Sequence, residues 1–245
     1  MGRAKDIIVK VIPAKVANEF VRKTHYSGKV VPNSTLHFGC FLDDKLHGVM
    51  SFGPSINKKG TINLVEGTGW NEFIELNRLA FDDYLPANSE SRCIAITIRL
   101  IKKHAPQVKW IISFADGTQC GDGAIYRASG FKFVGIVENT AIKTNPKTGE
   151  QMHCIQAHHK KMTGEFKNWD ALKGWQLKYI YLIDKTCKIT APILPFSKID
   201  EMGAGMYKGK KITIAERRHA AIAQGSAPDF QSGDGVRSDL AAQTI

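Results

Sequence analysis

Four polar residues stand beside apolar runs, at positions where a side chain could reach a ligand. His25 and Tyr26 follow a helical pattern, Arg78 lies inside a strand-like run, and Asp116 ends the nearly continuous apolar segment VKWIISFAD. An aspartate at a strand end can act as a base, ligate a metal or bind an exocyclic amine. An arginine inside an apolar strand is costly to bury unpaired, so it indicates a polar partner. These residue types indicate acid–base chemistry on a polar ligand.

The elements that would position these residues alternate between strand and helix. Alternating or continuous apolar runs are typical of strands. The predicted strands are IIVKVI, LHFGCFL, KLHGVMSFG, FIELNRLAF, VKWIISFAD, FKFVGIVEN and HCIQAHH. Helical spacing follows Pro13 and recurs in CIAITIRLIKKH, while GDGAIYRASGF predicts a short helix that ends at Gly130. The order β-α-β-β-β-α-β-α-β-β indicates an α/β (α+β) fold with a mixed central sheet and helices on both faces. Ser113 and Asp116 would then lie at a strand end, where such sheets bind ligands.

The positive charge is concentrated after this predicted sheet. The 245 residues carry a formal net charge of +11, and 43% of them are hydrophobic, which is enough for a core. Residues 160–218 have a net charge of +7, whereas residues 1–159 have +6 over a much longer stretch. We predict a catalytic domain at 1–160, a basic extension packed on it at 161–218, and a disordered tail at 219–245. This basic surplus favours nucleic acid as a partner.

One cluster of lysines in the extension indicates how DNA would be contacted. The run KGKK contains Gly209 and follows Tyr207, with Gly203 and Gly205 just before it, which is typical of a flexible segment. We predict that Lys208, Lys210 and Lys211 contact DNA phosphates and position the duplex without reading its sequence. The alternative is that these lysines serve solubility alone.

Membranes and oxidising compartments are disfavoured. No stretch approaches the roughly 20 apolar residues of a membrane-spanning helix, and the N-terminal MGRAKDIIVKVIP lacks the pattern of a secretory signal. The five cysteines are widely spaced without a CxxC pair, which is typical of reduced thiols rather than of a zinc site. We expect a cytoplasmic protein that binds no membrane. Its oligomeric state is left open, with a homodimer as one option.

The element order and the segment AIYRASGF resemble the GNAT acetyltransferase superfamily. The resemblance implies that Tyr126 acts as a general acid near a departing thiolate. Superfamily members usually bind the pyrophosphate of coenzyme A at a glycine-rich turn before the central helix, and LPANSESRCIA has no glycine there. Ser89, Ser91 and Arg92 could still bind an anion at the helix start, so we predict them as cofactor-binding residues. The donor would be acetyl-CoA or another small molecule.

A narrower resemblance covers the chain to about residue 215. The chain looks like the Mom family of phage proteins, which have a GNAT-like fold and modify adenine in DNA. The segments that carry this resemblance are THYSGK, FGPS, ELNRL, SFADG, AIYRASGF, ILPFSK and MGAGMYKGKK. The resemblance implies carbamoylmethylation of adenine N6 in double-stranded DNA of a phage or prophage, as a defence against host restriction.

The Mom resemblance also implies the site residues and a metal. Carried over residue by residue, the catalytic set is His25, Tyr26, Arg78, Ser113, Asp116 and Tyr126. The family is associated with iron, for which His25 and Asp116 are the candidate ligands. Adenine N6 is a poor nucleophile because its lone pair is delocalised into the ring. Its modification therefore needs an activated donor, a base and a base flipped out of the duplex, on which Tyr26, Tyr126 or Phe114 could stack.

Two other functions and a set of structural roles stay open. The chain could be an N-acetyltransferase that uses acetyl-CoA on a protein or small amine, or a DNA-binding protein on an inactive scaffold. The structural alternatives are helix capping by His25, a rim position for Tyr26, an ion pair of Arg78 with Glu75 or Asp116, a buried strand position for Ser113, a turn at Asp116 and a core position for Tyr126.

Overall fold

The computed structural model describes residues 3–117, 121–138, 141–172 and 174–202, together with the backbone of the short strands at 206–207 and 210–211. The predicted DNA-contacting side chains of Lys208, Lys210 and Lys211 and the predicted tail at 219–245 lie outside the described residues.

The described residues form strands and helices that are numbered here in chain order. The strands are β1 (Ile8–Val11), β2 (Leu36–Leu42), β3 (Lys45–Gly53), β4 (Val65–Glu66), β5 (Phe73–Phe81), β6 (Trp110–Asp116), β7 (Lys132–Glu138), β8 (Ile142–Thr144), β9 (Gln151–His153), β10 (Asp170–Ala171), β11 (Trp175–Leu182), β12 (Lys188–Ile189), β13 (Met206–Tyr207) and β14 (Lys210–Lys211). The helices are α1 (Ala14–Thr24), α2 (Lys58–Thr61), α3 (Ser89–His104), α4 (Ala124–Ala128), α5 (Cys154–His159), α6 (Thr163–Phe166) and α7 (Ser197–Glu201), with 3₁₀ turns at Arg3–Asp6 and Ile62–Leu64.

Seven strands form one mixed sheet in the order β1-β2-β3-β5-β6-β11-β7. Neighbours in this sheet are antiparallel except β5 and β6, which are parallel and are connected through α3. The parallel pairing runs from Phe73–Trp110 to Leu76–Ser113. Beyond this point β5 continues along β3 and β6 continues along β11, so the two strands part towards their carboxyl ends.

Helices cover both faces of this sheet, as the sequence predicted. On one face α1 buries Ala17 and Val21 against Val49 and Ala80. On the other face α3 is buried along one stripe that contacts the larger core, and the stripe comprises Cys93, Ile94, Ile98 and Ile101. The stripe has the three-to-four-residue spacing of an amphipathic helix, so burial of its apolar side chains fixes how α3 lies on the sheet. The predicted mixed α/β fold is confirmed.

A small unit at residues 141–172, here called the side unit, extends from the main sheet. It has a three-stranded sheet in the order β10-β8-β9 and its own apolar cluster of Met152, Ala157, Phe166 and Trp169. The prediction that HCIQAHH is the last strand of the main sheet was wrong, since Cys154–His159 is helix α5. The central position beside β6 is filled by β11, which pairs with β6 on one edge and β7 on the other.

The main sheet draws residues from both sides of the predicted domain boundary at residue 160. Strand β11 comes from the segment predicted as an extension, yet Leu177, Tyr179 and Ile180 on it are fully buried. The boundary therefore does not delimit the sheet. No helix in the described segments is long and apolar enough to cross a membrane.

Candidate active site

A cavity of about 380 Å³ opens where β5 and β6 part, and is here called the split-strand cavity. Its walls come from the end of α1, the middle of β5, the end of β6 and the start of α4. The lining residues are His25, Tyr26, Asn77, Arg78, Leu79, Phe114, Ala115, Asp116, Asp122, Gly123, Ala124, Ile125 and Tyr126. The volume is in the range of small-molecule sites. Five of the six residues predicted as catalytic, all except Ser113, line this one cavity.

Arg78 is held at the cavity by the backbone around it. Its Nε donates to the carbonyl oxygen of Lys29 at 2.9 Å, and its Nη1 donates to the carbonyl oxygen of Asn77 at 2.8 Å. The strand is irregular here: Ser51 on β3 lies opposite Arg78 and Phe52 lies opposite Leu76, so Asn77 is an extra residue. A bulge of this kind bends a strand and redirects a side chain, which explains how a strand arginine reaches the cavity.

His25 follows the last residue of α1 and is kept neutral by its surroundings. Burial, and secondarily the nearby guanidinium of Arg78, lowers the pKa of His25 from 6.5 to about 4. Desolvation disfavours the charged imidazolium, and a like charge nearby disfavours it further. At neutral pH the ring is therefore an uncharged hydrogen-bonding group. This differs from the capping alternative, in which a cation would interact with the helix dipole.

Tyr26 and Asp116 are joined at the rim of the cavity. The Tyr26 hydroxyl donates to Oδ2 of Asp116 at 3.2 Å, and the Tyr26 ring lies 4.3 Å from the ring of His25 between centroids. Tyr26 is 55% exposed, which leaves much of its ring open to solvent. The pair places a carboxylate and an accessible aromatic ring side by side, on elements far apart in the sequence.

Tyr126 lines the same cavity from α4 and is almost fully buried. Its ring packs against those of Phe131 and Tyr179, with centroids 5.5 Å and 5.3 Å away. The turn before it is fixed by Asp122, whose Oδ1 accepts from the Ala124 amide at 3.1 Å. Tyr126 thus combines the predicted site position with the core position that was its structural alternative.

Ser113 does not line the cavity and lies at the last pair of residues in the β5–β6 pairing. The side chain is fully buried, and its hydroxyl donates to the carbonyl oxygen of Leu76 at 3.1 Å. This hydrogen bond ties the two strands together at the point from which they part. The catalytic role predicted for Ser113 stays a prediction, and its contacts match its alternative as a satisfied strand residue.

The residues predicted to bind a cofactor lie at the start of α3, where a second cavity of about 410 Å³ opens. Ser91 and Arg92 line this cavity, here called the helix-start cavity, together with Ala4, Asn88, Ala95, Arg99, Ala128 and Ser129. Ser89 is buried, and its hydroxyl donates to the carbonyl oxygen of Pro86. Two arginines and a helix start make an environment suited to an anion.

Three residues of these sites were missed by sequence reasoning. Asn77 lines the split-strand cavity, is 93% buried, and accepts from the Ser34 hydroxyl at 3.0 Å. Asp122 is buried beside the same cavity and is paired with Arg127. Arg99 adds a second cation to the helix-start cavity. The glycines on either side of Asp122 were one available signal, because a charged residue in GDG before a short helix is typical of a cap.

The donor set of the described residues does not make a complete iron site. His25 and Asp116 line the same cavity, but no group of three His, Cys, Asp or Glu residues that could hold a metal is found in the described part. The backbone amide of Ser27 also donates to Nδ1 of His25. A metal on Nε2 would require a proton on Nδ1, facing that amide. The described residues thus do not fit the iron ligation that the resemblance implied. Cys40, Cys93, Cys154 and Cys187 are free thiols, as predicted.

Comparison with known proteins gives one family and one named relative. The sequence profile of the Mom protein family matches residues 6–198. Methylcarbamoylase mom of Escherichia phage Mu is 36% identical over 163 residues, which cover 66% of this chain and 66% of the relative. The match therefore spans just under two thirds of that protein.

Solved structures with a similar arrangement include acetyltransferases at low identity. An acetyltransferase of Bacillus subtilis in complex with CoA has a TM-score of 0.44 and 10% identity, covering 72% of this chain and 98% of that one. The ribosomal-protein-S18-alanine N-acetyltransferase of Escherichia coli has a TM-score of 0.43 and 10% identity, covering 73% and 94%.

Proposed function

This chain belongs to the Mom protein family, and from that premise we propose that it is a transferase that carbamoylmethylates the N6 amino group of adenine in DNA. The modification would protect phage DNA from host restriction in the cytoplasm of a bacterial cell. The named relative, a methylcarbamoylase, supports the type of group transferred. The site chemistry supports the same reaction and is argued below.

The observation that carries this proposal is that a carboxylate and hydrogen-bond-donating N–H groups line the same split-strand cavity. Asp116 supplies a carboxylate, whereas Arg78 and neutral His25 supply N–H groups. When N6 attacks the donor, a bond forms between N6 and the transferred carbon, and the leaving group departs with the electron pair. The N6 proton is lost in the same event, and Asp116 would accept it. Arg78 would stabilise negative charge on the donor side.

The shape of the cavity supports a flipped base as the substrate. An adenine inside a DNA duplex cannot enter a recess between the protein strands β5 and β6, so the base must be flipped out of the duplex. Tyr26 stands at the rim with its ring exposed and tilted by 33° against His25, where it could stack on the purine. Phe114 provides an apolar surface in the same cavity.

The helix-start cavity would hold the charged part of the donor. Arg92 already donates to the carbonyl oxygen of Lys5 at 3.2 Å, which holds its guanidinium at the cavity wall. With Arg99 on the same helix, two cations line one cavity, as the phosphate groups of a phosphate-bearing donor would require. We propose that this cavity binds the donor through Ser91, Arg92 and Arg99.

The proposal is tested by the nucleosides of DNA from cells that express the protein. We expect an adenosine of increased mass, detected by mass spectrometry after digestion, and a loss of at least about 100-fold in Asp116→Asn. Asp170→Asn is a matched control because Asp170 is exposed on β10 of the side unit. Unmodified adenine in cells with folded protein, together with acetylation of amines by acetyl-CoA, would instead establish the N-acetyltransferase alternative.

A further inference from the structure

A tight turn after α1 surrounds one edge of the His25 ring. The Ser27 backbone N–H donates to Nδ1 of His25 at 3.2 Å, and the Ser27 hydroxyl lies 2.8 Å from the same nitrogen. The turn is closed by a hydrogen bond from the Gly28 amide to the His25 carbonyl oxygen at 2.8 Å. Gly28 has φ +59°, a conformation that favours glycine.

These contacts determine which ring nitrogen carries the proton. A backbone N–H can only donate, so the nitrogen that it faces must present a lone pair. The Ser27 hydroxyl, 2.8 Å from the same nitrogen, can donate to that lone pair as well, while its oxygen accepts from the Lys29 amide at 3.3 Å. In a neutral imidazole the other nitrogen then holds the hydrogen, which places N–H on Nε2.

The opposite edge of the ring is available to a ligand. No hydrogen bond to Nε2 is found among the described residues, while His25 as a whole lines the split-strand cavity. A neutral ring whose proton is on Nε2 cannot accept a second proton there. It can donate a hydrogen bond to a carbonyl oxygen or to a ring nitrogen of a purine. The role of base is left to Asp116, which accepts from Tyr26.

We propose that Ser27 is a positioning residue that fixes the Nε2–H tautomer of His25, so that His25 acts in the cavity as a hydrogen-bond donor and not as a base. The tautomer assignment rests on the local geometry, whereas the role of the Nε2–H group in catalysis rests on the proposed transfer to adenine. In that reaction the Nε2–H group would stabilise the developing negative charge of the donor, beside Arg78.

The test is a nitrogen NMR spectrum of the full chain labelled with ¹⁵N-histidine. The spectrum distinguishes a protonated ring nitrogen from one with a lone pair, and His25→Gln assigns the His25 signals among the eight histidines. We expect Nε2–H as the dominant form at neutral pH. A dominant Nδ1–H form, or a charged ring, in the wild-type protein would overturn the proposal without any variant being needed.

Variants of Ser27 then test its contribution to the reaction. Ser27→Ala keeps the backbone donor but removes the hydroxyl, so we expect a larger Nδ1–H population and about fivefold less modified adenine, the effect of one hydrogen bond. Ser27→Thr should restore both readouts. Ser197→Ala is the control, since that exposed hydroxyl contacts Glu201 instead. An unchanged tautomer and activity in Ser27→Ala would remove the hydroxyl from the assignment. The spectrum is independent of activity, so failure of the proposed reaction would be seen separately.

Discussion

The hydroxyl of Tyr26 donates to the carboxylate of Asp116 at 3.2 Å, across 90 positions of the chain. The contact joins the turn after α1 to the end of β6 over the mouth of the split-strand cavity. It gives the carboxylate a fixed orientation through a group that is itself half exposed. A substrate that enters the cavity would meet both residues together.

Tyr26→Phe separates orientation of the carboxylate from stacking on the base. The variant keeps the ring but removes the hydrogen bond to Asp116, so we expect about two- to tenfold less modified adenine, in line with the roughly 0.5–1.5 kcal/mol that one hydrogen bond contributes. Tyr26→Ala removes both functions and should lose more. Thermal stability should hardly change in Tyr26→Phe because the side chain is exposed. Equal activity of Tyr26→Phe and wild type would contradict a role for the hydroxyl.

The low pKa of His25 predicts how stability depends on pH. Unfolded His25 binds a proton below pH 6.5, whereas the folded residue does so only below about pH 4. Between these values the unfolded state holds more protons, so stability falls as the pH is lowered through this window. Arg78→Gln removes one of the two causes and should raise the pKa of His25. Urea titrations at several pH values measure the change in stability, and NMR titration of the His25 ring measures its pKa in the wild type and in Arg78→Gln. An unshifted pKa in Arg78→Gln would show that burial alone keeps the ring neutral.

Gly123 is predicted to be required by packing as well as by its backbone conformation. It has φ +71°, and a Cβ there would lie 2.6 Å from Cε2 of Tyr179. We expect Gly123→Ala to lower the free energy of unfolding by roughly 2–5 kcal/mol in urea titrations, from overpacking and left-handed strain together. Gly149→Ala is the matched control, because its φ is +74° with open space around the Cβ. That variant should lose only about 1–2 kcal/mol.

Sequence patterns predicted the cavity residues whose position follows from a single strand or helix. They missed residues whose position depends on how two strands pair. The position of Asp116 at a crevice could be predicted because it ends an apolar strand, and strand ends of such sheets meet at a crevice. Asn77 was missed because it is the extra residue of a bulge, which exists only through the register of β5 on β3. Ser113 shows the reverse: it shares a strand with Asp116, but its hydroxyl is used by the Leu76 carbonyl oxygen.

The position of β11 in the sheet could not be predicted from the sequence for a related reason. The run WQLKYIYLID predicts a strand, but nothing in it specifies that the strand lies between β6 and β7. That choice is made by long-range burial, in which Tyr179 contacts both Phe133 and Tyr126. Local periodicity identifies an element, and its neighbours in a sheet follow only from the packing of the whole core.

The lysine cluster formed by Lys208, Lys210 and Lys211 gives a prediction about DNA binding that does not depend on chemistry at the cavity. Each lysine that contacts a phosphate releases condensed counterions, so the affinity for DNA falls steeply as salt rises. The triple variant Lys208/Lys210/Lys211→Ala should bind a duplex more weakly and with a slope shallower by about 2–3 on a double-logarithmic plot of affinity against salt. A triple variant at exposed lysines elsewhere, Lys59/Lys102/Lys103→Ala, serves as the control. An unchanged slope in the Lys208/Lys210/Lys211→Ala variant would show that this lysine cluster does not contribute to DNA binding.

The helix-start cavity predicts a donor with negative charge, recognised by arginines rather than by a glycine-rich turn. Arg92 and Arg99 both line this cavity on α3. Removing one charge-assisted hydrogen bond typically costs about 1.5–3 kcal/mol. We therefore expect each of Arg92→Ala and Arg99→Ala to weaken binding of acetyl-CoA or pyrophosphate by about tenfold or more in calorimetry, while duplex affinity stays the same. Lys188→Ala, at an exposed position on β12, should bind as wild type does. Equal binding by all three variants would place the anionic part of the donor elsewhere, whereas a loss of duplex affinity in the arginine variants would assign this cavity to a DNA phosphate.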